Sequence, residues 1–450
     1  MPSRRPPSRR LWPWVLASFV GASLIAGLLA WWWYRTDERV YVRVEEARAR
    51  LYAALNPQPA VLPTVAAPQV FPTVTAGAQP AADALDSAPP TATAPVATAP
   101  AESGGTPVAS ASPAAPTPTA PPTPTPAPLP AQVALAGFRH EYQKFNNCGP
   151  ASLAINLSYW DWAGDQDDTA AFLKPNLDDK NVSPIEIYEY LRRNGFDAYI
   201  RANGDVETLK RFLAAGYPVL VEKGFWCEPG EQRCNDWFGH YSVFTGYDDS
   251  RQLFILQDTF RGPNLKLTYA DVLQNWRAFN FLYIVVYPDT PEHAAQVEGL
   301  LGPALDLRQN YLDALERARQ ETATLTGEDA AFAWYNIGTN LHYLQDYAGA
   351  ANAFDQARQI GLPYRMLWYQ FGPYRAYYYM GRYQDVIDLA SFAIKSTPKP
   401  GLEEAFYWRG LAYEALGQTD LAVADYRTAL VQNPTDAQAA EALGRLGLTP

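Results

Sequence analysis

The chain has 450 residues, 48% of them hydrophobic and 18% charged, with a formal net charge of −11. That length is too great for a single hydrophobic core and calls for two or three domains. The acidic balance argues against a nucleic-acid partner, which needs a basic face. With no glycine-rich phosphate loop and no compact metal-ligand spacing, no cofactor is expected.

Residues 1–10 form a short basic flank with Arg4, Arg5, Arg9 and Arg10. Residues 11–34, from Leu11 to Tyr34, then run without a charge. At about 1.5 Å per residue a helix of that length crosses the ~30 Å hydrocarbon layer of a bilayer. Trp12 and Trp14 stand at one end and Trp31, Trp32, Trp33 and Tyr34 at the other, as interfacial anchors do. The apolar run is too long for a cleaved signal peptide and ends without a clean small-x-small site. The expectation is therefore a single-pass anchor through residues 11–34 in the cell membrane. Arg35, Arg39, Arg43 and Arg48 follow the span, so basic residues alone set no strong orientation. The purely basic flank on one side and the extracellular character of the other place the N-terminus in the cytoplasm and the bulk of the chain outside.

Residues 35–55 read as a juxtamembrane helix around Glu45-Glu46-Ala-Arg-Ala-Arg-Leu. From 56 to 131 the composition turns to Pro, Ala, Thr, Ser and Val, with three acids (Asp83, Asp86, Glu102) and no Lys or Arg. Such a segment buries too little apolar surface to offset its ordering entropy and reads as a disordered, partly polyproline stalk. Its upper reach is on the order of 200 Å at about 3.1 Å per residue.

Residues 132–290 carry the chemistry. Cys148-Gly149-Pro150 opens an apolar run with Leu153, Ile155, Leu157 and Trp160 at helical spacing. Pro150 suits the first helical turn, so Cys148 falls at a helix N-terminus, where dipole and free N–H groups favour a thiolate. Of the four histidines, His240 begins an alternating strand (Tyr241, Val243, Thr245). The turn Asp248-Asp249-Ser250 leads to a second strand, Leu253 to Leu256, ending at Asp258. A hairpin of that length brings Asp258 beside His240. Thiol, imidazole and carboxylate so related make an activated nucleophile with an oriented base. His140 is the rival nearest the cysteine, while His293 and His342 fall outside the domain. Around this core, helices are expected at 167–174, 183–194, 205–215 and 269–276. Strands are expected at 196–201, 217–223 and 281–287. Ser183-Pro-Ile-Glu186 is a capping box. Helices first and antiparallel strands after make an α+β domain.

Asn147-Cys148-Gly149-Pro150-Ala151-Ser152-Leu153, Gly239-His240-Tyr241, Gly246-Tyr247 and Asp258 together resemble the C39-like peptidase family, papain-fold cysteine peptidases of the bacteriocin-processing type. The resemblance covers roughly residues 136 to 288. It implies Cys148 as nucleophile, His240 as general base and then acid, and Asp258 as the group that orients the ring. It also implies that Gln143, with the Cys148 N–H, forms the oxyanion hole. Gln257-Asp258-Thr259 stands where the family commonly has Asn-Asp-Pro. A bacterial source and a peptide or protein substrate follow from the resemblance alone.

The chain has three cysteines. Cys227 and Cys234 flank a polar turn that a disulfide could close, which in an oxidising compartment leaves Cys148 as the odd thiol. Two unpaired thiols in a reducing compartment, or a zinc site of Cys227, Cys234 and His240 with no evident fourth ligand, are the alternatives. Trp226 and Trp237, on either side of this turn, are candidate walls of a substrate cleft.

Residues 295–450 repeat themselves. Ala350, Val386 and Ala422 recur at one spacing, as do Phe354, Ala390 and Tyr426, and Ala357, Ala393 and Ala429. This resembles tetratricopeptide repeats, an all-α solenoid of helix pairs. Units are readable at 330–364, 365–400 and 403–436. A degenerate fourth unit around Gly302, Tyr311, Ala314 and Ala318 precedes them, and a capping helix at 436–446 follows. The middle unit has Tyr374 where a glycine is usual, and its aromatic cluster from Trp368 to Tyr379 reads as core packing. Such arrays hold a protein partner on their concave face. The reading is a membrane-anchored extracytoplasmic cysteine peptidase with a repeat domain for substrate or partner. A catalytically idle binding scaffold and an acyl or amide transferase with the same triad are its rivals.

Overall fold

The computed structural model describes residues 38–57, 61–64, 128–227 and 236–450, together with Gly27 and Tyr34. The anchor expected at 11–34 and nearly all of the stalk lie outside the described residues. Among the described residues, no helix is long and apolar enough to cross a membrane.

The segment ahead of the stalk is helical, α1 (Glu38–Leu55), as its Glu, Arg, Ala and Leu content implies. Among the described residues the stalk departs from expectation at 61–64, well before its junction with the next domain. Val61 bridges Pro363, the Leu62 N–H donates to the Leu362 carbonyl at 2.9 Å, and Arg358 Nε donates to the Pro63 carbonyl at 3.0 Å. Leu62 is buried in the repeat region's core. Residues 61–64 are thus docked chain. An apolar Val-Leu pair supplies the surface to bury, which the average composition of the stalk conceals.

The first domain is mixed α/β. Its elements are β1 (Gln132–Ala134), α2 (Cys148–Ser158), α3 (Gln166–Leu173), α4 (Pro184–Arg193), β2 (Phe196–Arg201), α5 (Val206–Ala214), β3 (Val219–Trp226), β4 (Trp237–Asp248), β5 (Leu253–Asp258), β6 (Gly262–Thr268), α6 (Tyr269–Trp276) and β7 (Tyr283–Pro288). The sheet runs β2-β7-β3-β4-β5-β6, with β1 on β4, and every pair is antiparallel. On one face Leu153, Ile155 and Leu157 of α2 pack with Tyr241, Val243 and Ile284. On the other, Leu209 and Phe212 of α5 and Trp276 of α6 pack with Val219, Phe244 and Phe254. The capping box is formed in both directions, and the Ser183 N–H donates to Glu186 Oε2 at 2.7 Å.

The sequence reading passes over two strands. β1 is only three residues long, yet it lies so close to β4 that a Cβ on Gly246 would come within 2.3 Å of the Val133 carbonyl. Gly246 is there to admit it. β6 is an edge strand whose Pro263 and Asn264 mask its alternation, and an edge is where a proline is tolerated.

The C-terminal region is helical: α7 (Pro291–Leu301), α8 (Leu307–Thr322), α9 (Gly327–Tyr343), α10 (Tyr347–Ile360), α11 (Gly372–Tyr379), α12 (Tyr383–Lys395), α13 (Glu403–Ala415), α14 (Thr419–Gln432) and α15 (Ala437–Arg445). Helix pairs fall where the three repeats are expected, and α15 follows as the cap. The degenerate fourth unit contributes a single helix of the array, α8, whose Leu315 and Ala318 pack on Ile337 of α9. α7, a helix with Thr290 at its N-cap and Pro291 in its first turn, is absent from the expected elements.

The unusual Tyr374 has a packing explanation. A Cβ on Gly338 would lie 2.6 Å from the Phe354 ring, and one on Gly410 would lie 2.6 Å from the Tyr426 ring. In the middle unit the corresponding residues are Tyr374 and Ala390, both fully buried. The large side chain has moved from the second helix of the pair to the first, which conserves volume.

Candidate active site

Cys148 begins α2, and the loop before it is pinned from α3. Gln166 Oε1 accepts from the Lys144 N–H at 2.9 Å and from Asn147 Nδ2 at 3.0 Å, while Gln166 Nε2 donates to the Tyr142 carbonyl at 2.9 Å. Lys174 Nζ donates to the carbonyls of Phe145 and Asn146, each at 3.1 Å. Asn146 adopts φ 51°, a left-handed conformation that asparagine tolerates better than most residues. The thiol is therefore presented by a braced turn.

His240 and Asp258 come from the two feet of the β4–β5 hairpin, despite a register shift between Phe244 and Gly246. His240 Nε2 lies 3.2 Å from Asp258 Oδ2, an ion-pair distance without the alignment of a good hydrogen bond. The ring is also close enough to the Cys148 sulfur for the two groups to shift one another's proton affinity. Asp258 is held from all sides. Its Oδ1 accepts the N–H groups of Phe260 (3.0 Å) and Arg261 (2.8 Å), and its Oδ2 accepts Ser242 Oγ at 3.0 Å. Phe225 meets the imidazole edge to face, with centroids 5.7 Å apart.

Lys223 is a participant that sequence reasoning misses. It pairs with His240 in the β3–β4 register, so the two side chains share a sheet face. Its Nζ donates to Ser242 Oγ at 2.9 Å and to Asp258 Oδ2 at 3.4 Å, and the side chain is nearly fully buried. A lysine inside Val219-Leu-Val-Glu-Lys223 signals nothing until the strand pairing is known. Gln166 and Lys174 are likewise invisible, being far from the cysteine in sequence.

The electrostatics follow from these contacts. Burial would raise the Cys148 thiol, but the hydrogen bond and charge of His240, helped by the Tyr241 N–H and Lys174, outweigh it and hold the thiol below its ordinary value. Burial would lower the imidazole, yet the Asp258 charge keeps it above its ordinary value against opposition from Lys223. Asp258, though buried, is held well below the usual carboxylate range by His240 and Lys223. The arrangement favours a thiolate beside an imidazolium.

The other expected residues divide. Gln143 sits beside the turn after the acid: its N–H donates to the Thr259 carbonyl at 2.9 Å and its Oε1 accepts Thr259 Oγ1 at 2.8 Å. Cys148 is a free thiol. Cys234 lies outside the described residues, and so does its expected pairing with Cys227. Trp226 is exposed, with Nε1 donating to Glu328 Oε1 at 2.8 Å, and does not line the cavity at Cys148. The expectation for Trp237 needs correction. It is buried and stacked on Phe279 at 6.0 Å, so it belongs to the core and walls no cleft. His140 Nδ1 lies 3.0 Å from Gln257 Oε1, next to the acid rather than the thiol. His293 is bound to the Tyr217 hydroxyl at 2.8 Å, and His342 is enclosed in the repeat region, where burial and Arg375 push it down to about 3.

Residues 132–284 match the model of the Peptidase_C39 like family, and residues 403–436 match that of the tetratricopeptide repeat. Solved structures similar to the chain include a candidate C39-like peptidase from Bacillus anthracis, at 15% identity over 35% of this chain and 98% of that one, with a TM-score of 0.29. The peptidase domain of Streptococcus ComA, an ABC transporter, is similar at 17% identity over 34% and 100%, with a TM-score of 0.28. A double glycine motif protease from an AMS/PCAT transporter, in complex with its leader peptide, is similar at 15% identity over 35% and 98%, with a TM-score of 0.26. No curated protein matches the chain.

Proposed function

We propose that the chain is a membrane-anchored, extracytoplasmic cysteine peptidase that works through Cys148, His240 and Asp258. The observation that carries the reading is a free thiol at a helix N-terminus, held below its ordinary value chiefly by an imidazole whose Nε2 stands 3.2 Å from a buried carboxylate. The thiolate attacks the peptide carbonyl carbon, forming a C–S bond and an oxyanion. Gln143 and the Cys148 N–H are the donors assigned to that oxygen. His240 gives its proton to the departing amine as the C–N bond breaks, leaving an acyl-enzyme. Water, deprotonated by His240, then attacks the thioester, releases the carboxylic acid and restores the thiol.

The charge-free run at 11–34 supports the anchor, and a Cys227–Cys234 disulfide would suit the same compartment. A cavity of about 510 Å³ between α8, α9 and α10, lined by Trp334, Ile337 and Leu341 with Arg319 and Gln356 at its rim, supports a peptide or protein partner on the repeats.

Labelling with a thiol-reactive acyl electrophile tests the reading. Selective reaction at Cys148 that is lost in His240→Ala is expected. Slow labelling that is indifferent to His240 would leave a binding scaffold. Cys148→Ala protein should retain its substrate, so the bound peptide can be identified.

A further inference from the structure

Cys148 lies on the helical side of its cleft and His240 on the sheet side, and the repeat array is fastened to both. On the sheet side Gln370 Nε2 donates to the Ala278 carbonyl at 2.8 Å, and Asn280 and Asn340 exchange amide hydrogen bonds at 2.7 and 3.2 Å. On the helical side the Lys180 N–H donates to the Gly401 carbonyl at 3.1 Å, Lys399 pairs with Asp178 at 3.3 Å, and Asn176 Nδ2 donates to Gln432 Oε1 at 3.0 Å. One run of stacked helices thus spans the cleft from lip to lip.

Between these attachments, Tyr369 projects from the turn Tyr364–Trp368 onto the site. A Cβ on Gly239, the residue before His240, would lie 3.0 Å from the Tyr369 ring and 2.8 Å from Phe279. The same tyrosine lines a cavity together with Cys148, Asn181 and Val182. That cavity holds about 10 Å³, room for roughly one water molecule. Cys148 is itself only partly exposed, and a peptide in extended conformation, about 5 Å wide between neighbouring strands, needs more room than this cavity gives.

We propose that the repeat array is a cover over the catalytic thiol, with Tyr369 as its plug, and that a polypeptide reaches Cys148 only after the array has moved off one lip. The proposal rests on the peptidase reading for the identity of what is excluded; the closure itself is a matter of geometry. Gly401 shows how tightly the cover is seated, since a Cβ there would come within 2.3 Å of the Asp178 carbonyl oxygen.

The test is the rate at which iodoacetamide alkylates Cys148 in the full chain, read by peptide mass mapping, with circular dichroism to establish that each variant is folded. Tyr369→Ala removes the plug, and Gly401→Val wedges the helical lip. A rise of about tenfold or more over wild type, in either folded variant, is expected. Wild-type rates in both would overturn the cover, and if one variant does not fold the other decides. Iodoacetamide needs no peptide hydrolysis, so the two readings fail separately. Faster alkylation without peptide cleavage keeps the cover and removes the peptidase. Peptide cleavage with unchanged alkylation does the reverse.

Discussion

His240 and Lys223 face one another across the β3–β4 pair and converge on the same oxygen of Asp258, at 3.2 and 3.4 Å. One buried carboxylate therefore serves two basic groups. Asp258→Asn would take away the charge that raises the imidazole and leave Lys223 buried without a counter-ion. Acylation of Cys148 should fall by about 10²- to 10⁴-fold. Breaking a buried pair on one side should also cost about 3–5 kcal/mol of stability. Electrophile labelling kinetics and a urea midpoint check the two parts.

Lys223→Met acts in the opposite sense on the ring. The lysine's positive charge depresses the imidazole, so without it the proton is held to higher pH. In the wild type the acid limb of acylation should lie below the ordinary thiol value and the alkaline limb above the ordinary imidazole value, as the lowered thiol and raised imidazole imply. The Lys223→Met variant should move the alkaline limb further up. An alkaline limb left in place would show that Lys223 is only a strut for Ser242 and Asp258.

The attachment of the array to the helical lip should depend on pH. Asp179 and Glu186 of the first domain face Glu403 and Glu404 of α13, with Lys174, Lys180, Asp178 and Lys399 around them. Burial, and then their mutual charges, raise all four acids, Glu186 to about 8. A carboxyl with a raised value keeps its proton in the closed state. Its contribution to closure is intact below the ordinary carboxylate range, near 4, and is lost as pH climbs toward about 8. Lys174 and Lys180, lowered to about 8 chiefly by burial, begin the opposing trend only above that. Alkylation of Cys148 should therefore rise between pH 5 and 8 more steeply in the wild type than in Glu403→Gln, whose amide has no proton to lose. Parallel profiles would sink the idea.

The exchange of large and small residues in the repeats makes a stability prediction. Tyr374→Ala leaves a cavity opposite Ala390 and should cost about 3–5 kcal/mol. Gly410→Ala instead presses on Tyr426 and should cost about 1–3 kcal/mol. Urea denaturation monitored by tryptophan fluorescence measures both.

Much of this site is legible in the chain because its signals are local. Cys148-Gly-Pro is helix-start chemistry, the run from His240 is an alternating strand, and Asp258 is set by a hairpin between neighbours in sequence. The repeat boundaries are legible for the same reason: spacing alone aligns Phe354, Ala390 and Tyr426. Lys223, Ser242, Gln166 and Lys174 act through strand register or long-range loop contacts, for which no single stretch carries a pattern. The docked Val61-Leu62 pair is lost within a Pro-rich composition.

What the sequence determined by itself was the parts: a cysteine at a helix tip, a histidine and an acid at the feet of a ribbon, and a train of helix pairs. Only the tertiary structure decided that the train lies across the cleft with Tyr369 over the thiol. Much of the docking is made by backbone carbonyls at Gly401 and Ala278 and by the amides of Asn280 and Asn340. Every chain carries such groups, and they acquire meaning only where folding brings them face to face.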